Sequence, residues 1–457
     1  MGRSAQRGQA LVYGLFMIVA SVAALFFLFN AGQLSSEKTK LVNAADAVAY
    51  SVGVMDARTL NFLAYTNRAM LANTVAIAQL VSLSSWAAYI DQLSQGGSSI
   101  DWWGKYFAAA PSWEIVQLSA SELDQYLNDA DVLKTLAEKS DQIFIKKVLV
   151  NAQVAAYGGL LAARPTVMDE VARANYRGDG TVAVQSLLSS AMNFADFVDT
   201  YEDDERTRFA EVAVAAAKSD GFVKHRSWIL PSMTQGACYG LPDWISRAGG
   251  TELIGFDEWK AMDTLSEHIW FVYWGACGVS EMPAGFATTV AADDTASDVD
   301  WTRYDYSRLI NTFSSFLADS SSLSWGYTGL PKFYDLSEDK LEDEDDPRLR
   351  YAVGLKRRIA ETRTSEGVAQ IRNSGDDNRL ATTLNNYQAA PAEDESLAAA
   401  SAVEVYFDRG GDNPYGNGKF GKPKEIGSLF NPYWHVHLVS ASAGERAAAL
   451  GSAMVLP

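Results

Sequence analysis

Hydrophobic residues along this 457-residue chain begin as a solid block, continue as a helical stripe, and end as short scattered runs. The block is ALVYGLFMIVASVAALFFLF, Ala10 to Phe29, and it holds no charged residue. At about 1.5 Å per helical residue it covers about 30 Å, the thickness of a bilayer's hydrocarbon core. One membrane-spanning helix is predicted. A cleaved secretory signal is the competing pattern, but its apolar core is usually shorter, about 7–15 residues. Here the helix continues instead: Leu41, Ala45, Val48, Val52 and Met55 alternate spacings of four and three and form one face. A retained anchor is therefore expected.

The stretch AMLANTVAIAQLVSLSSWAAYI, Ala69 to Ile90, is also long enough to span, yet it carries Asn73, Gln79 and several serines. That polarity predicts a buried helix of a water-soluble body. If it did span, the large domain would return to the cytoplasm. A further helix is expected from Ser121, where Ser121 and Asp124 fit a capping pattern and Leu123, Leu127, Ala130, Leu133 and Ala137 give an apolar face. Another is expected through Thr181 to Lys218, with Tyr201 to Arg206 as an exposed kink or loop.

Beyond Gly221 the texture changes, with denser Gly, Pro, Trp and Tyr. Phe222–Leu230, Phe286–Ala291, Ala402–Phe407 and Tyr433–Val439 read as strands, bounded by turn formers such as the Gly-Gly pairs at 249–250 and 410–411. Asp257–Trp270 and Pro347–Arg363 read as helices between them. The fold class is thus α+β: residues 1–36 a cytoplasmic N-terminus and anchor, 37–220 a mainly helical stalk or bundle, and 221–457 a mixed α+β head.

Charge orients this arrangement and narrows its partners. Arg3 and Arg7 precede the block without an acidic neighbour, whereas Glu37, Lys38, Lys40 and Asp46 roughly cancel after it, so the N-terminus is expected in the cytoplasm and the body outside. The formal charge of −18 should repel phosphate backbones, which makes nucleic acid a poor partner.

Candidate chemistry is sparse. Cys238 and Cys277 have no metal-ligand spacing; in an exported domain they could form one disulfide, worth about 4 kcal/mol on a loop-entropy model, and two buried thiols are the alternative. His435 and His437 would share one strand face, yet no third ligand lies near them in sequence. The acidic stretch Ser337 to Arg350 lacks the ligand spacing and central glycine of a calcium loop, and reads as a solvated loop or helix start. Gly410 to Pro423 lacks the G-K-[ST] ending of a phosphate loop, and reads as a long hairpin loop. No nucleophile or zinc-protease signature is present, so no catalytic, cofactor or metal residue is expected, and no small-molecule substrate is evident.

Two pieces of the N-terminal region carry a resemblance. Arg7-Gly8-Gln9-Ala10-Leu11-Val12 leads into the apolar block, and Asn43-Ala44-Ala45-Asp46-Ala47 follows it. In that order around one span they resemble the start of Tad/Flp pilus-assembly proteins, the TadG-like branch in particular. The resemblance covers about the first fifty residues. It implies a membrane-anchored structural or assembly component of a type IVb-like pilus system in a bacterial inner membrane, with pilin subunits or other assembly proteins as partners and the body in the periplasm. An envelope-anchored binding or adhesin module is the alternative, and an envelope hydrolase a more distant one.

The resemblance also implies a possible processing site between Gly8 and Gln9. Processed pilin-like relatives usually carry Glu at the fifth mature position, which here is Tyr13. A chain without that carboxylate is expected to keep residues 1–8.

Overall fold

The computed structural model describes residues 9–95, 111–187, 193–235, 237–293, 310–342, 346–358, 396–409 and 427–451. Helix α1 (Gln9–Ser94) opens the chain, followed by α2 (Pro111–Asp124), a π-helical turn, α3 (Val132–Lys139), a second π-helical stretch and α4 (Asn151–Asn175). Then come β1 (Ala183–Ser186), α5 (Asn193–Phe197), β2 (Val198–Tyr201) and α6 (Thr207–Ser219). Strands β3 (Arg226–Gln235), β4 (Pro242–Ile254), β5 (Glu258–Tyr273) and β6 (Ala276–Ala292) follow. The remainder is α7 (Thr312–Ser320), β7 (Leu323–Gly326), β8 (Phe333–Leu336), α8 (Glu338–Glu342), β9 (Leu349–Arg358), β10 (Ser396–Phe407), β11 (Trp434–Val439) and α9 (Ala443–Gly451). The class is α+β, with a long apolar N-terminal helix.

The chain forms two compact units, and neither is contiguous in sequence. Unit 1 takes residues 1–64, 156–199 and 336–457; unit 2 takes 65–155 and 200–335.

In unit 1 a four-stranded antiparallel sheet has the order β1-β9-β10-β11. Leu41, Ala44, Ala45, Val48, Ala49 and Val52 of α1 are fully buried and meet Tyr351, Val353, Leu355 and Val403. The helical stripe thus finds the sheet that covers it. The approach is close at Gly53, where an added Cβ would lie 2.5 Å from a methyl of Val436 and 3.0 Å from one of Val403. On the opposite face, Ala352 and Ala402 pack with Leu187 and Ala449 of α9. That short helix is started by a reciprocal capping box: Ser442 Oγ accepts from the Glu445 amide, and Glu445 accepts from the Ser442 amide.

Two buried ion pairs complete this unit. Arg357 donates to Glu37 at 3.1 Å and to the Asp179 carbonyl at 2.7 Å, while Arg164 pairs with Asp56 on α1. Burial pushes the Asp56 carboxyl up to about 6, with Arg164 opposing.

In unit 2 a five-stranded sheet has the order β3-β4-β5-β6-β7, antiparallel except for the last pair. The C-terminal part of α1 packs on it through Tyr89, with Trp86, Ile90 and Leu93 around it. The segment 69–90 is therefore part of a helix inside the body, as its polarity implied, with Met70, Ile77, Ala78, Val81 and Ala87 buried.

Several expected elements are corrected. Asp257–Trp270 is strand β5: both faces are buried, so its polar residues are taken up by ion pairs and hydrogen bonds, and their spacing mimics a helix. Pro347–Arg363, as far as 358, is strand β9, in which Leu349, Tyr351, Val353 and Leu355 recur at every second position. Thr181–Lys218, as far as it is described, is broken into β1, the short α5, β2 and α6, and its one long helix is at its end. Ser121 lies inside α2, which starts at Pro111, and the chain turns at Asp131 with φ of 54° before Leu133 and Ala137 become buried in α3.

Gly249 and Gly250 are no turn but the middle of β4. There the Asp263 carboxylate occupies the space of a Cβ on Gly249, 2.5 Å away, and His225 does so for Gly250, 2.7 Å away. The pair Gly410-Gly411 and the stretch Gly410–Pro423 lie outside the described residues.

Candidate functional site

Two features present apolar surface to something outside the chain. The first is the start of α1. Leu11, Val12, Leu15, Phe16, Met17, Ile18, Val19, Val22, Leu25 and Leu28 are all exposed, on every side of the helix. A helix apolar all round and packed against nothing belongs in hydrocarbon, where its backbone satisfies itself. Among the described residues this is the one helix long and apolar enough to cross a membrane.

Its end is marked by charge. Glu37 is buried on Arg357, Lys38 donates to the Ala398 carbonyl, and Lys40 pairs with Asp179 and lies 4.6 Å over the Tyr176 ring. The flanking charges that balance one another in sequence are therefore spent on unit 1. Tyr13 is exposed on the span. Gln9 is the first described residue, and Gly8, Arg3 and Arg7 lie outside the described residues.

The second feature is the distal end of the β5–β6 hairpin. From Glu258 to His268 β5 is buried throughout; Phe271, Val272 and Tyr273 are exposed. The ladder between β4 and β5 ends at Trp244 and His268, where the buried Asp243 carboxylate accepts from the Trp270 amide. Beyond it the hairpin closes at Trp274-Gly275, with φ of 50° and 80°. Both angles are positive, the signature of a type I′ turn, whose first position normally holds Asn, Asp or Gly.

A second turn of the same kind lies beside it. The Leu241 amide donates to the Cys238 carbonyl at 3.0 Å across Tyr239-Gly240, with φ of 50° and 71°. Cys238 is disulfide-bonded to Cys277, their Cα atoms 5.8 Å apart, and the Ala237 amide donates to the Trp270 carbonyl. Each turn thus holds an aromatic residue in the left-handed region, a placement that costs on the order of 1 kcal/mol. Neither gains burial for it: Trp274 is 91% exposed and Tyr239 86%. Trp228, Ile229 and Leu230 of β3, Leu241, and Val279 of β6 extend the apolar surface. The Phe271 ring lies over Gly278, 2.6 Å from where a Cβ would be, so the base of the tip is packed and firm.

The buried half of the same sheet carries polar chemistry. Asp263 is fully buried between Arg247 at 2.7 Å and Arg226 at 3.2 Å, with Ser85 at 3.1 Å. Burial drives its carboxyl upward, and the two guanidiniums oppose the shift. Ser246 Oγ lies 2.8 Å from His268 Nε2, and Asn311 Oδ1 lies 3.1 Å from that same nitrogen. A nucleophile relay needs its orienting group on the other ring nitrogen and an accessible hydroxyl. Here Ser246 and Asn311 are fully buried, and Asn311 also donates to the Ser246 carbonyl and to Thr264. The cluster ties the segment leading into α7 to the sheet.

A cleft of about 740 Å³ in unit 2 is lined by Lys218, Lys224, His225, Glu252 and Trp259 among others. His225 and Glu252 form an ion pair there, and the hydrogen bond that the imidazole donates to Glu252 raises the His225 pKa. The rings of His435 and His437 lie 6.0 and 4.6 Å from that of Tyr406 on the neighbouring strand. Among the described residues no group of three His, Cys, Asp or Glu side chains is placed to hold a metal ion.

The aromatic tip is not among the candidates read from the sequence. Its signal is local: two aromatic-glycine pairs, Tyr239-Gly240 and Trp274-Gly275, each beside a cysteine and inside an uncharged run.

Residues 8–56 match the family model for Flp pilus-assembly TadE/G-like proteins. That stretch contains the exposed span and the buried stripe from Leu41 to Val52. No curated protein and no solved structure matches the chain.

Proposed function

We propose, from the TadE/G-like pilus-assembly region at residues 8–56, that this protein is a non-catalytic, single-pass inner-membrane component of a Flp-type pilus system, its N-terminus cytoplasmic and its body periplasmic. The observation that carries the proposal is the coincidence of that family region with a helix whose apolar surface is bare on every side. Arg3 and Arg7 before the span, against the balanced charges after it, support the orientation. The disulfide between Cys238 and Cys277 suits an oxidising compartment. The chain's work is then mechanical and associative: α1 fixes it in the bilayer, and the body offers surface to other pilus components.

Phosphatase reporters fused after Gly250 test the topology. Activity of a periplasmic reporter is expected; activity only of a cytoplasmic one overturns it. The span has no carboxylate between Ala10 and Phe29, so nothing in a neighbouring copy could neutralise a new amino terminus in the membrane. The protein therefore keeps residues 1–8 and stays a minority, membrane-held component. A mature start at Gln9, with abundance in sheared filaments comparable to the major subunit, would return it to the pilins.

A further inference from the structure

We propose that the tip built on Tyr239-Gly240 and Trp274-Gly275 seats in the interfacial layer of a lipid bilayer. Three observations point to lipid over protein. First, the segments that form it, 227–235, 237–242 and 269–280, contain no Asp, Glu, Lys or Arg, in a chain whose net charge is −18. Protein interfaces of this aromatic richness normally enlist arginine and a charged rim, whereas a neutral headgroup layer asks for neither. Second, the most exposed residues are Trp274, Tyr239 and Tyr273, amphipathic rings of the kind that concentrate at the boundary between headgroups and acyl chains. Third, the surface is a projecting hairpin end clamped by a disulfide and by Phe271 over Gly278, so little conformational freedom is lost on insertion.

Two aromatic residues held at positive φ without gaining burial fit a surface kept for contact. Because the tip is uncharged, the contact should be indifferent to salt and need no anionic lipid.

The span itself contains no tryptophan, which gives a clean probe. The full chain is reconstituted in phosphatidylcholine vesicles, with brominated phosphatidylcholine placed either in the host bilayer or in added protein-free vesicles. We expect quenching of tryptophan fluorescence in one of the two arms, a marked loss of that quenching in Trp274→Phe, and no change between low and high salt. Quenching in the host arm assigns the contact to the anchoring membrane, and quenching in the acceptor arm to a facing one. The Tyr239→Ser, Tyr273→Ser double variant should weaken the quenching of Trp274 while leaving the circular dichroism unchanged. Absence of quenching in both arms, or quenching equal in Trp274→Phe and the unaltered protein, overturns the proposal; a protein cross-linked at Trp274 in cells without lipid quenching would assign the tip to a protein partner instead. Neither arm contains pilus components, so this test can fail while the pilus assignment stands, and the reverse.

Discussion

The two halves of the β5–β6 hairpin reverse the usual distribution of polarity. From Glu258 to His268 the strand is buried yet carries Lys260, Asp263, Thr264, Ser266 and Glu267; from Phe271 to Trp274 it is exposed and carries only large apolar and aromatic side chains. In the buried half these five side chains are matched, Asp263 by Arg247 and Thr264 by the Ala248 carbonyl. Lys260 pairs with Asp319 at 3.1 Å, Glu267 accepts from Ser232 and Ser266 donates to Glu281, both at 2.7 Å. Such groups must be satisfied to be tolerated, and once satisfied they fix one register and one arrangement of neighbours. Among the described residues the exposed half forms no such network, and its apolar area faces outward. Polarity therefore separates, within one pair of strands, what holds the fold from what the fold displays.

The sharpest way to break that contrast is at Asp263. Asp263→Ala removes the carboxylate that Arg226 and Arg247 share and leaves the two guanidiniums facing each other, and we expect a loss of about 3–5 kcal/mol in urea unfolding of the detergent-solubilised protein. A loss below about 1 kcal/mol would mean the arginines find other partners.

Next comes the disulfide that ties the exposed half to the turn at Tyr239-Gly240. Cys238→Ser with Cys277→Ser should cost about 4 kcal/mol if loop entropy dominates. Denatured, unreduced protein should take up no thiol label; two labelled thiols would show the bridge absent.

A smaller effect is expected at His225, half-exposed beside the sheet, where Glu252 raises the histidine pKa. A base with a raised folded-state pKa adds stability that is fully present below its unfolded value, near 6.5, and is lost as pH rises through the higher folded value. The contribution should be at most about 1 kcal/mol because solvent screens the pair. Titrating stability across that window in His225→Gln should flatten the slope.

How much of this was legible depended on where each signal came from. The span was legible because twenty uncharged residues leave no other environment, and the stripe Leu41, Ala45, Val48 and Val52 because a helix packed on one side keeps a 3.6-residue period. Strand β5 was not, since Lys260, Asp263 and Glu267 pair with partners far along the chain, and only those partners reveal that such residues are inside. Gly249 and Gly250 misled for the same reason: the room they give up is taken by Asp263 and His225. The tip was hidden by composition, because an exposed Trp and a buried one are written with the same letter.

The measurement that tests the contrast most directly is the unfolding of a tip variant, Tyr273→Ser with Trp274→Ser, against the unaltered protein in the same detergent. If the exposed half displays surface without holding the fold, the urea midpoint and slope stay unchanged, within about 0.5 kcal/mol. A loss of about 2 kcal/mol or more, the size expected for a buried aromatic's packing, would place these side chains in the core and contradict the account.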